Sequence, residues 1–120
     1  MEEGQLQALN EQLIAYTLEL YDLYQEVKET GVEKDFFSEV KPFCDTLQDA
    51  IDRWLPAAKA WVEARRPAHL FPSQLEHTAE NLQMVAVRAF YPSSSRKMML
   101  DHFQSVKYIL QCLQEALEKS

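Results

Sequence analysis

An all-α fold, a single up-down-up-down antiparallel four-helix bundle, follows from three observations. Apolar residues recur at alternating spacings of three and four over four long stretches, and the period-two pattern of a half-buried strand is absent. The chain holds only two glycines and five prolines in 120 residues, too few turn formers for a sheet protein of this length. The breaks between periodic stretches are short, roughly four to eight residues, so successive helices become antiparallel neighbours. Hydrophobic residues make up 47% of the chain, enough to bury one core without disulfides or metal. Residues 1–120 therefore read as one domain.

The first helix runs from about Glu3 to Glu29, with Leu6, Leu9, Leu13, Tyr16, Leu20, Leu23 and Val27 as its apolar stripe. Thr30-Gly31 ends it, glycine serving where positive φ is needed. The second spans about Asp35 to Arg65, with Phe37, Val40, Cys44, Leu47, Ile51, Trp54, Ala58 and Trp61 in register. Asp35 is its N-cap, and Pro42 closes a short first turn from which the long helix starts. Pro56 removes one backbone donor within the pattern, so a kink is expected near Arg53. The third runs from about Gln74 to Tyr91. Ser73 and Glu76 offer a capping box, Leu75, Thr78, Leu82, Val85 and Ala89 form the stripe, and Tyr91-Pro92 stops it. The fourth spans about Ser95 to Lys119, capped by Ser94 or Ser95, with Met99, Phe103, Val106, Leu110, Leu113 and Leu117 inward.

Several strings occur in a telling order: DFFSEVKP (Asp35 to Pro42), DRW (Asp52 to Trp54) and EARRP (Glu63 to Pro67). A helix holding QLE (Gln74 to Glu76) and Asn81 follows, then SRK (Ser95 to Lys97). In this the chain resembles the YppE-like family, small bacterial proteins of one four-helix bundle classed as a domain of unknown function. The resemblance covers about residues 10 to 118. It implies the bundle and brings no activity. Pro56 departs from the family's pattern, which bears on the straightness of the second helix.

Composition excludes several function classes. Twelve basic against nineteen acidic residues give a net charge of −7. Such a chain neutralises phosphates poorly, so neither nucleic acid nor an anionic membrane surface is an expected partner. The start, MEEGQLQALN, has no basic region followed by an apolar one, and no run of 18 apolar residues occurs, so a cytoplasmic protein is expected. Carboxylate-bridged metal bundles need Glu-x-x-His pairs, and no glutamate here precedes a histidine by three. His69, His77 and His102 lie at different heights, His77 and His102 roughly 15–20 Å apart along the bundle. Cys44 and Cys112 are separated by roughly 25 Å, too far for a disulfide, and should be free thiols packed as small hydrophobes. Phosphate-loop, dinucleotide and nucleophile-elbow motifs are missing. No catalytic residue, cofactor or metal ligand is expected, and the chain reads as a non-enzyme.

Two stretches could hold an anion. In the corner from Glu63 to His77, Arg65, Arg66 and His69 could form one such site. Each also has a structural reading: cations suit the negative end of a helix, and Arg65, in register with the core stripe, would reach a carboxylate or free carbonyls at the bundle end. The second site is Ser94, Ser95, Arg96 and Lys97, where two cations in a first turn oppose the helix dipole while capping serines and free amides favour an anion. Off-core apolar residues suggest a surface for an unknown protein partner or for self-association: Ile14, Leu18 and Tyr21 on the first helix, Met84, Val87 and Tyr91 on the third. Phe36, Phe37 and Tyr91 add aromatic density at one corner. The reading this favours is a protein-interaction module; a binder of a small anion or phosphorylated ligand at the start of the fourth helix is the alternative.

Overall fold

α1 (Glu3–Thr30) ends where the periodicity does. Gly31 takes φ +70° and donates its N–H to Val27 O at 2.8 Å, a left-handed cap that favours glycine. In the computed structural model, which describes residues 3–120, a π-helical turn (Phe36–Val40), α2 (Lys41–Arg65), α3 (Pro72–Arg88) and α4 (Arg96–Lys119) follow. No strand occurs among the described residues. α1 packs between α2 and α4, and α3 takes the corner diagonal to it, giving the expected bundle, 45 × 27 × 20 Å across its principal axes.

Local chemistry explains each boundary. The Asp35 carboxylate accepts both the Ser38 N–H and the Ser38 hydroxyl at 2.8 Å, and Val40 N–H reaches back to Asp35 O at 3.1 Å. This wide turn delivers the chain to α2, whose Pro42 sits in the first turn, where no N–H is needed. α2 then runs through the exposed Pro56 without a break. It ends at Arg66 in left-handed conformation, φ 48°. α3 starts at Pro72, two residues before the expected Gln74, and the anticipated Ser73–Glu76 box does not form. Pro72 fixes the first turn, so Gln74 becomes the residue that reaches back, accepting the Phe71 N–H at 2.8 Å, while Glu76 pairs with Lys59 across the α2–α3 groove. α3 also ends at Arg88 rather than Tyr91, the chain leaving through a turn over the buried Ala89 and Phe90. At α4, Ser95 is the cap, its hydroxyl accepting from Met98 N–H at 3.4 Å.

The stripes of α3 and α4 are buried as expected. The α1 stripe is rotated by one residue in every second contact. Asn10, Thr17 and Tyr24 are buried, and Leu9, Tyr16 and Leu23 are only half-buried. Phe37 is a larger departure: it is 78% exposed, because the π turn winds with an extra residue and carries it out of register with α2. Cys44 and Trp61 sit half-buried at the margin, and Ala50 and Val62 join Leu47, Ile51, Trp54 and Ala58 inside. His69 and His77 are exposed and His102 is half-buried. Both thiols are free.

A polar junction lies within this core. Asn10 Nδ2 donates to Leu110 O at 2.9 Å and to Gln114 Oε1 at 3.1 Å, and Trp54 Nε1 donates to Asn10 Oδ1 at 3.0 Å. Thr17 satisfies its hydroxyl on Leu13 O. No buried side-chain polar atom among the described residues lacks a partner. A fully paired buried amide fixes the register of α1, α2 and α4, since any slip would leave it unsatisfied.

Candidate functional site

The end of the bundle holding the α1–α2 and α3–α4 connections, termed the upper end, carries most of the unused chemistry. On one side Phe36 and Phe37 stack edge to face at 5.2 Å. They are 48% and 78% exposed, beside Val32 at 61%. Buried Val40 and the Asp35 cap hold the turn that presents them. Bonds from the Ser38 hydroxyl and N–H hold the Asp35 carboxyl below its ordinary range, so the cap stays ionised at neutral pH. Glu29, Glu33, Asp35 and Glu39 are all exposed around the aromatics. The nearby cations Lys34 and Lys41 are spent on Glu26 and Asp45. The rim is therefore acidic.

Across the same end lies the α3–α4 corner. The hydroxyls of Ser94 and Ser95, expected to face an anion, are used internally. Ser94 Oγ donates to Arg88 O at 2.9 Å, and Ser95 Oγ caps α4. Lys28 Nζ donates to Pro92 O at 2.9 Å and to Ser94 O at 2.8 Å, and Tyr24 OH donates to Ser94 O at 3.1 Å. α1 thus fastens this corner. Arg96 and Lys97 are exposed and form no ion pair among the described residues. The same holds for Arg88, whose guanidinium meets Met98 Sδ at 3.4 Å. Residues 88–97 contain three cations and no carboxylate.

The opposite, lower end is closed by its own residues. Glu3 accepts Trp61 Nε1–H at 2.8 Å, the Ser120 hydroxyl at 2.8 Å and Arg65 at 2.6 Å. These partners, the Trp61 bond first, hold the Glu3 carboxyl below its ordinary value. Arg65 therefore meets a carboxylate, as its register implied. The three residues of the first anion candidate are not brought together. Arg65 and His69 line a cleft of about 530 Å³ with Tyr108 and Cys112. Arg66, turned by its left-handed backbone, lines a separate one with Leu70 and Phe71.

The off-core apolar residues also divide. Leu18 and Val87 are 47% and 48% exposed, while Ile14, Tyr21, Met84 and Tyr91 are half-buried against the core. Leu18 and Tyr21 line a groove between α1 and α4 with Leu100 and Phe103. Val87 lines another between α2 and α3 beside Cys44, whose thiol burial pushes up. α1 and α3 are diagonal, so these residues form two surfaces and not one. Val32, Lys28 and Arg88 escaped the sequence reading. The acid-free run from 88 to 97 was the available signal for Arg88.

No group of three or more His, Cys, Asp or Glu among the described residues could hold a metal ion. No described helix is long and apolar enough to cross a membrane.

The sequence profile of a bacterial domain of unknown function, DUF1798, matches residues 10–117. The chain belongs to the DUF1798 family. An uncharacterised protein of Bacillus subtilis, YppE, is 25% identical over 111 residues, 92% of this chain and 90% of its own. The crystal structure of that protein superposes with a TM-score of 0.94, covering 99% of this chain and 97% of its own. A crystal structure of a Listeria innocua protein of unknown function is 35% identical, with a TM-score of 0.93 over 98% of this chain and 94% of its own. These likenesses bear out the family resemblance and the four-helix DUF1798 fold.

Proposed function

We propose that the chain is a non-enzymatic interaction module of the cytoplasm that docks a protein partner through its upper end. The observation that carries this reading is the exposed Phe36–Phe37 pair, held on a capped turn whose backbone is fixed by Asp35. Rigid aromatics lose little entropy on docking and are enriched among the residues that dominate binding energy. π turns also recur at functional sites. Leu18 and Val87 each expose one aliphatic side chain, 47% and 48%, and their grooves are secondary to this corner. The test is a Phe36→Ser/Phe37→Ser variant, tagged and isolated from a bacterial lysate under native conditions. Wild type is expected to elute above its 14.0 kDa chain mass and the variant at that mass, with both melting alike. A variant that keeps the larger species contradicts the reading.

Anion binding at Arg96 and Lys97 is the second reading. It is favoured by the lack of a carboxylate partner for either cation among the described residues and weakened by the internal use of the Ser94 and Ser95 hydroxyls. A phosphate titration that leaves the amide resonances of residues 94–98 unmoved excludes it.

A further inference from the structure

We infer that the upper end docks a second copy of this chain head to head, the aromatic corner of each protomer seated on the basic corner of the other. The inference rests on the reading of the upper end as an interaction surface and names the occupant.

Charge complementarity carries it. The α1–α2 corner presents Glu29, Glu33, Asp35 and Glu39 around two exposed rings. The α3–α4 corner presents Arg88, Arg96 and Lys97 with no carboxylate in the ten residues that hold them. Arg96 and Lys97 also stand in the first turn of α4, where they oppose the helix dipole, and no ion pair among the described residues offsets that cost. An acidic rim seated over them would. The exposed faces of Phe36 and Phe37 are, in turn, acceptors for a guanidinium or ammonium group. The same corner placed against its own copy would set like charges together.

Topology supplies the symmetry. Both corners stand at one end of the molecule, one over α1 and α2, the other over α3 and α4. A two-fold axis perpendicular to the bundle's long axis sets each corner over its complement, and the contact is made twice. The alternative of side-by-side pairing has little to recommend it: outside residues 88–97 the chain is acidic, and its net charge is −7. The end face is only 27 × 20 Å, at the low end of specific interfaces, so the dimer should be weak and reversible. Its stabilisation is largely between exposed charges, so it should also be sensitive to salt.

Two charge-reversed variants test this by sedimentation velocity. In Glu29→Lys/Glu33→Lys/Glu39→Lys the aromatic corner becomes basic, with Asp35 its one remaining acid; in Arg96→Glu/Lys97→Glu the basic corner becomes acidic. Each variant alone would face itself with like charges and should sediment as a monomer. Mixed in equal amounts they should form a heterodimer of twice the 14.0 kDa chain mass, because both contacts are then complementary again. Wild type should dimerise with rising concentration, and raising salt from about 0.05 to about 0.5 M should weaken it at least about tenfold. The neutral variant Arg96→Gln/Lys97→Gln should weaken the dimer without reversal. A mixture that stays monomeric, either charge-reversed variant dimerising like wild type, or a monomeric wild type at every concentration overturns the proposal. If wild type is monomeric yet a different protein is held in a Phe36- and Phe37-dependent complex, the reading of the upper end stands and only the second copy is wrong.

Discussion

The two ends of the bundle are built from the same materials and treat them differently. At the lower end an acid, a guanidinium, an indole and a hydroxyl converge: Glu3 takes bonds from Arg65, Trp61 and Ser120. At the upper end two aromatic rings face solvent, and the cations of the α3–α4 corner have no carboxylate partner among the described residues. Folding alone explains the Glu3 cluster at the lower end, because its charged and polar groups are satisfied within the chain. It does not explain the upper end, where aromatic rings face solvent and dipole-opposing cations form no ion pair among the described residues. That asymmetry is the reason to place interaction at the upper end.

The largest effect should come from damage that ignores this polarity. Trp54→Ala removes a fully buried ring and leaves Asn10 Oδ1 without its donor. Such losses cost about 3–5 kcal/mol, and urea denaturation should show that loss as one cooperative transition. Next comes the fastening of the basic corner. Lys28→Met keeps the aliphatic stem but abandons the Pro92 and Ser94 carbonyls. A loss of about 1–2 kcal/mol is expected, with faster amide exchange confined to residues 92–98.

A local effect should appear at the lower end with pH. Folding lowers the Glu3 carboxyl below its ordinary 4.5. A carboxyl depressed in the fold stabilises it above the unfolded-state value and loses that contribution as pH falls through the lowered one. The Trp61 indole N–H resonance should therefore hold still at neutral pH and shift only below 4.5, while the Trp54 indole stays fixed by Asn10. A Trp61 shift centred near neutrality would break the account of the clamp. The smallest effect on stability belongs to Phe36→Ser/Phe37→Ser, within about 0.5 kcal/mol of wild type by urea denaturation. A larger loss would mean that the rings serve the fold, and the contrast between the ends would vanish.

Much of the fold was legible because it rests on spacing. The α3 and α4 stripes, the Gly31 stop and the Asp35 cap all follow from local rules. The α1 stripe was misread because the buried positions 10 and 17 hold Asn and Thr, while the neighbouring positions 9 and 23 hold leucines that hydrophobicity favours. What buries Asn10 is its bonding to Trp54 and Leu110, 44 and 100 residues away, and no local pattern encodes that. Phe37 was assigned to the core because one extra residue in the π turn shifts the register invisibly. For the site, the oddity of Arg96 and Lys97 could be read from their place in a first turn. Their lack of an ion pair among the described residues, and the acidic aromatic corner across the same end, needed the assembled bundle.

One measurement addresses the asymmetry itself: photo-crosslinking in bacterial cells with benzoylphenylalanine placed at Phe37 or at Phe71. These are exposed phenylalanines at opposite ends, 78% and 59% accessible. Adducts from position 37 and none from position 71 are predicted. Equal yields at both positions, or adducts from position 71 alone, would contradict the assignment of interaction to the upper end.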